Sequence, residues 1–306
     1  MKEEEKSMKK FLASFAVVLL AVAVLGGLNA CKKAVEDPVP TATKFVVFDN
    51  FTDGDNQTDT GAFGGYWYTF DDLAASNDNI VCGASNVWPM SENANIKYDY
   101  GATPKFTMSE YATTGQTKPS GVTSNYYARV SGTVARNGYP YGFAGFGANL
   151  LEVDSGTGAK VPVDATAAKY ARLVFWYKNG PSVTTNTPWK VKLGTQASLG
   201  ACKMEEVDNQ PVAKFTSTNT WQKFDKAFSE FAPEGWGSTT CGIRAAQTTC
   251  VTGAVSYVAG GAQYQCTAAQ AMASLDALQW QTNFDGSLAS NPFDLMIAEV
   301  TIIKGE

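Results

Sequence analysis

The chain has 306 residues, 44% hydrophobic, 17% charged and 12% aromatic, with a formal net charge of −5. This is a globular composition with length for a sizeable core, and no basic run follows the N-terminus, which argues against a track for nucleic-acid phosphates. Histidine is absent, which removes Ser-His-Asp and Cys-His catalysis, His-dependent zinc hydrolysis and His-ligated haem, and leaves paired-carboxylate or Tyr/Lys/Arg chemistry.

The N-terminal stretch MKKFLASFAVVLLAVAVLGGLNAC reads as an export signal: Lys9-Lys10, an apolar run from Phe11 to Leu28, then small residues. The preceding MKEEEKS is acidic for such a signal, so Met8 is a candidate start. Leu28-Asn29-Ala30-Cys31 resembles the lipobox of bacterial lipoproteins, in which the cysteine is lipidated and becomes the first residue. A transmembrane anchor is the rival, since a span needs about 20 apolar residues. The Gly26-Gly27 pair and the small-residue site directly before Cys31 favour the lipoprotein. Residues 1–30 are thus expected to be a signal peptide, Cys31 the lipid attachment site and 31–43 a Pro-containing tether. The expected address is a bacterial envelope, on the outer membrane, with the membrane a partner through the lipid.

Five further cysteines follow: Cys82, Cys202, Cys241, Cys250 and Cys266. No CxxC pair and no histidine is available for zinc, so two disulfides with one cysteine left over are expected of an exported chain. Cys241 with Cys250 is the most local pairing; the connectivity stays open.

From Lys44 onward, short alternating segments are punctuated by Gly, Asn, Asp, Pro and Ser. They are KFVVFDNF (44–51), GYWYTFDD (65–72), KFTMSEY (105–111), NYYARVSGTV (125–134), YGFAGFGANL (141–150) and KYARLVFWYKN (169–179). WKVKLG (189–194), WQKFDKAFS (221–229), LDALQWQT (275–282) and FDLMIAEVTII (293–303) complete the series. Their β-branched and aromatic content and period near two predict an all-β fold, an antiparallel β-sandwich or jelly roll of about ten strands. One helix is predicted at Thr267 to Leu275, closing a Cys-rich insert of about 237–274. A single domain over 44–306 is the economical organisation.

Several segments, in order, carry a resemblance. FVVFDNFTDGD followed by GGYWYTFDD, then YGFAGFGANL, KYARLVFWYKN, TNTWQKFDKAFSEFAPEGWG and LDALQWQTN…PFDLMIAEVTII resemble the galactose-binding-like jelly-roll domains of bacterial carbohydrate-binding modules, especially the family-eleven type. The resemblance spans most of residues 44–303 and implies a two-sheet core with glycan bound on a concave face or at loop ends. It also implies a structural calcium tying the first strand to the last, here at Asp49, Asp53, Asp55 and Glu299. The sequence departs from that pattern at Thr52, where a Glu is usual, and at Ala298-Glu299, where an Asp pair is usual. Asp53, Asp55 and Asp59 supply oxygens, but this is not an EF-hand, since Thr58 occupies the glycine position and Gly64 that of the final Glu.

Sugar binding needs flat apolar surface beside hydrogen-bonding groups. Strand alternation puts Tyr66, Tyr68 and Phe70 on one side of the opening segment and Trp67, Thr69 and Asp71 on the other. The first set, apolar-bodied, is expected in the core; the second, mixed, is expected on the ligand face. Tyr127, Arg129, Arg172, Trp176, Gln279 and Gln281 lie on similarly mixed sides and are expected to join Trp67 and Asp71 in a glycan platform. The rival for each Trp is simple core burial. Trp88 and Trp189 offer an alternative site at a loop end.

Three carboxylate pairs were weighed for catalysis. Asp71-Asp72 points to opposite faces of a strand, Glu205-Glu206 lies in a polar stretch, and Glu230 with Glu234 completes the set. None forms the strand-borne acid set of a jelly-roll glycosidase, so no catalytic residue is assigned. The expected function is non-catalytic polysaccharide binding by an anchored lipoprotein. The alternatives are a structural or protein-interaction domain of the envelope and a jelly-roll carbohydrate-active enzyme.

Overall fold

Alternating sequence becomes alternating burial along most of the chain. The structure is a computed structural model that describes residues 45–59, 65–72, 85–89, 106–135, 142–195, 210–234, 266–283 and 290–306. The apolar leader, Cys31, the tether, Glu205-Glu206, most of the 237–274 insert and Cys82, Cys202, Cys241 and Cys250 lie outside the described residues.

In chain order the first strands are β1 (Phe45–Asp49), β2 (Trp67–Asp71), β3 (Asn86–Trp88) and β4 (Ser109–Glu110), followed by the helical turn α1 (Tyr111–Thr114). Then come β5 (Tyr126–Ala135), β6 (Phe143–Asn149), β7 (Leu151–Val153), β8 (Lys160–Pro162), β9 (Tyr170–Asn179) and β10 (Thr187–Thr195). The chain closes with β11 (Val212–Ser217), β12 (Gln222–Ala227), α2 (Ala268–Met272), β13 (Leu275–Asn283) and β14 (Ser290–Lys304).

Two antiparallel sheets form the sandwich. One is five-stranded in the order β11-β10-β13-β6-β2. The other is seven-stranded, β12-β9-β14-β5-β3, with β1 paired to β14 and β4 to β5. The jelly-roll sandwich is therefore the one expected. The differences are local. Only Ser109–Glu110 of the predicted 105–111 strand pairs, because Tyr111 opens α1. Three strands are additional: β3, which carries Trp88 instead of a loop, the β7–β8 hairpin, and β11, whose apolar side chains Ala213 and Phe215 join the core.

The sheets are joined by an aromatic stack. Trp67 lies 5.5 Å from Trp280 and 5.8 Å from Phe146, ring centroid to centroid, and Phe175 of the opposite sheet meets Trp280 edge-on at 5.5 Å. Such pairs add about 0.5–1.5 kcal/mol each beyond the area they bury. They also fix the sheet that carries the candidate site.

α2 is held by a capping box: Thr267 Oγ1 accepts from the Gln270 N–H while Gln270 Oε1 accepts from the Thr267 N–H. It ends before the predicted Leu275 because that residue begins β13. Cys266, just before the cap, is a buried unbridged thiol, and burial pushes its pKa up to about 11.

Candidate functional site

The outer face of the five-stranded sheet is built in cross-strand rows. Tyr68 stands opposite Gly147, Gly147 opposite Gln279, and Gln279 opposite Lys192. One row along, Phe70 stands opposite Gly145, then Gln281, then Lys190, then Lys214. Phe143 pairs with Asn283 in the next row.

The two glycines explain how the rings lie. A Cβ at Gly147 would meet the Tyr68 ring and hydroxyl at 2.9 Å, and one at Gly145 would meet Phe70 Cζ at 2.9 Å. Both rings therefore lie flat across β6. Tyr68 and Phe70 are 6.2 Å apart, Phe70 and Phe143 6.3 Å, so three rings run in series. Tyr66, 48% exposed, extends the line, with Lys160 Nζ 5.5 Å from its ring centroid.

A polar row borders the rings. Gln279 Nε2 donates to the Tyr68 hydroxyl at 2.9 Å, Gln281 Nε2 donates to Asn283 Oδ1 at 3.0 Å, and Lys192 Nζ donates to Gln281 Oε1 at 3.4 Å. Burial pushes the Tyr68 phenol up to about 12 against the lowering effect of the Gln279 bond, so it stays a neutral donor and acceptor. Beyond the amides, Glu234 accepts from Lys190 at 2.6 Å and pairs with Lys214 at 3.1 Å. Burial raises the Glu234 carboxyl, but the two ammoniums outweigh it and hold it below its ordinary value. Flat rings, amide donors and acceptors, and ammoniums thus occupy successive strands of one face.

The expected platform is corrected by this arrangement. The alternation in β2 is as read, but the faces are exchanged: Trp67 is only 2% exposed and Asp71 is buried, while Tyr66, Tyr68 and Phe70 face outward. The reason is a polar partner for the indole inside the sandwich. Trp67 Nε1 donates to Asp49 Oδ2 at 2.6 Å, and Gly145 and Gly147 leave room outside for rings. Gln279 and Gln281 are on the outer face of the five-stranded sheet as described.

Tyr127, Arg129, Arg172 and Trp176 are instead on the outer face of the opposite sheet, so the single platform of Trp67, Asp71 and these residues does not assemble. Tyr127 is buried under α1, its hydroxyl donating to Thr114 Oγ1, in a small cluster with Tyr111, Val122, Met296 and Ala298 against which Trp176 packs. Arg129 grips Asp294 with two hydrogen bonds at 2.9 and 2.8 Å, and Arg172 binds Asp225 at 2.8 and 2.6 Å. Trp189 belongs to the core, and Trp88 is 52% exposed on edge strand β3. Sequence reading missed Tyr68, Phe70, Phe143, Asn283, Lys190 and Lys192. The signal was the alternation of Gly145 and Gly147 with Phe146 and Ala148 in YGFAGFGANL, which marks one side of β6 as covered by a neighbour's rings.

The residues named for calcium are occupied separately. Asp49 accepts from Trp67 and from the Phe51 N–H, Asp53 and Asp55 close turns on the N–H groups of Asp55 and Gln57, and Glu299 stands at φ 46° in the β14 bulge. Among the described residues no three carboxylate, thiol or imidazole side chains are grouped to hold an ion, so the expected set does not fit calcium as arranged. Of the carboxylates weighed for catalysis, Asp72 accepts from the Ser85 N–H, and Glu230 is tied to Lys226 and the Ala227 N–H.

No family model matches the chain. No curated protein matches it either. Among solved structures it is similar to the family 11 carbohydrate-binding module from Clostridium thermocellum, solved in complex with a β-1,3-1,4-mixed-linked tetrasaccharide; identity is 10% over 87% of this chain and 98% of that one, at a TM-score of 0.42. It is similar also to the solution structure of CtCBM11, at 12% identity over 87% and 99% of the two chains and a TM-score of 0.40. An exo-β-agarase aligns over 65% of this chain and 23% of its own, with 9% identity and a TM-score of 0.35. The likeness is one of strand arrangement.

Proposed function

We propose that the protein binds a polysaccharide along the outer face of the five-stranded sheet. The observation that carries this is the line of Tyr68, Phe70 and Phe143 laid flat over Gly145 and Gly147 beside the Gln279–Gln281–Asn283 row. Pyranose C–H faces stack on such rings at little rotamer cost, and ring hydroxyls exchange hydrogen bonds with the amides. Gln279 acts as a positioning residue, holding the Tyr68 ring in the plane of the sheet.

Binding in this proposal is non-catalytic. Both oxygens of Glu234 are committed to lysines, which disfavours it as a general acid. The proposal retains Cys31 as a lipid anchor, supported by the Leu28-Asn29-Ala30-Cys31 motif. Export of the chain with Cys31→Ser should then move it from the membrane to the soluble fraction.

Affinity electrophoresis against a panel of plant and microbial polysaccharides tests the site. Retardation by at least one glycan, lost in Tyr68→Ala and Phe70→Ala with folding retained, is expected. Retardation by none, or retardation unchanged in both variants, overturns it. Release of new reducing ends overturns the non-catalytic part.

A further inference from the structure

We propose that the ligand of this face is an acidic polysaccharide, its carboxylates or sulfates met by Lys190, Lys192 and Lys214. This rests on the binding face proposed above and adds the charge class of the ligand.

The chain as a whole is acidic, at −5, yet this corner of the sheet concentrates lysines. Lys190 and Lys214 stand directly opposite each other on β10 and β11, and Lys192 follows Lys190 on the same face. Like charges directly opposite on neighbouring strands are unfavourable in a sheet. Glu234 sits between the two ammoniums, at 2.6 Å from Lys190 and 3.1 Å from Lys214, and offsets one of the two charges. The other carboxylate of the face, Asp276, is at the far end beside Gly194, where an added Cβ would meet its Oδ1 at 2.8 Å. Three ammoniums and two carboxylates leave an excess of positive charge, concentrated at the β10–β11 edge.

The position of the lysines matches the edge of a stacked sugar. The Tyr68 and Phe70 rings lie over β6, β13 carries the amides, and β10 is the next strand. At strand spacings near 4.8 Å this puts the β10 backbone about 10 Å from the ring platform, within reach of a flexible four-carbon stem. A sugar stacked on the rings therefore turns its edge substituents past the glutamines toward ammonium groups. Neutral hydroxyls are served by the amides alone; lysines behind them add affinity for an anion. The pairs already present do not block this, since Lys214 is 70% exposed and exposed ion pairs exchange partners readily. An ammonium is a point charge and does not itself separate carboxylate from sulfate.

Affinity electrophoresis and titration calorimetry on the exported chain, with polygalacturonate, a sulfated carrageenan, a neutral β-glucan and a neutral galactan, test the inference. Binding of polygalacturonate or carrageenan is expected, with the one that binds naming the anion. It should weaken severalfold or more in Lys192→Gln and in Lys214→Gln, fall steeply with added salt, and disappear in Tyr68→Ala. Lys214→Gln alters an exposed side chain, so its folding is secure. A neutral glycan bound through Tyr68 with no salt dependence overturns the charge inference and leaves the site standing. Acidic glycan bound equally by Tyr68→Ala and both lysine variants overturns the charge inference and this face as its site, and retention by no glycan overturns the face as a binding site altogether.

Discussion

Trp67 and Asp49 meet inside the sandwich: the indole N–H donates to the Asp49 carboxylate at 2.6 Å, with 2% and 1% of the two residues exposed. The same ring touches Phe48, Phe51, Phe106, Phe146 and Trp280. Trp67→Ala should therefore act on stability, costing about 3–5 kcal/mol. Trp67→Phe keeps much of the ring contact but strips the carboxylate of a donor, costing about 1–3 kcal/mol. Urea unfolding of the three proteins measures both; a loss below 1 kcal/mol in Trp67→Ala, far under the figure for a buried aromatic, counts against a core role.

Burial raises Asp49 from 3.8 to about 8, with Asp59 and Asp53 adding repulsion and the Trp67 and Phe51 hydrogen bonds opposing. The folded state thus holds a proton there that the unfolded state releases near pH 4. This contribution to stability is complete below the unfolded pKa and declines as pH rises through the window to about 8. Asp49→Asn, which cannot titrate, should flatten that part of the profile of unfolding free energy against pH. An unchanged slope between pH 4 and 8 in the variant would assign the dependence to other groups.

Gly147→Ala probes the site without removing any functional group. The new methyl would meet Tyr68 at 2.9 Å and the Leu278 carbonyl oxygen at the same distance, lifting the ring from the sheet. Glycan affinity should fall at least tenfold, about 1.4 kcal/mol, approaching the loss in Tyr68→Ala. Circular dichroism confirms folding and calorimetry reads the affinity; unaltered affinity with an altered Tyr68 environment speaks against ring stacking.

Arg129 and Asp294 form the counter-case on the opposite sheet. Asp294 is fully buried and also accepts from the Ser182 N–H and hydroxyl. Arg129→Met leaves that buried charge without its cation, and breaking such a pair costs about 3–5 kcal/mol. Stability should drop by this order while glycan retardation in the folded protein is retained. A selective loss of retardation would return Arg129 to the binding surface.

The strands of the core were legible because their alternation and β-branched content are local properties: KYARLVFWYKN and LDALQWQT map onto β9 and β13 almost residue for residue. The helix at Thr267 was legible because its capping box is local too. β11 escaped because VAKFTS, with Lys214 and Thr216 on its open side, has too little apolar content to stand out.

Alternation determined by itself which residues share a side: Trp67 with Asp71, Tyr68 with Phe70, Gln279 with Gln281. Which side faces inward is a different kind of fact, since a period of two is symmetric between the faces of a sheet. Tertiary structure decided it, by placing Asp49 to accept the Trp67 N–H inside and Gly145 and Gly147 to receive the rings outside. Tertiary structure alone also decided that Arg129, Arg172 and Trp176 are on one sheet and Gln279 and Gln281 on the other. Sheet membership depends on pairing between segments far apart in the chain, such as β14 between β9 and β5, and no local pattern encodes such partners.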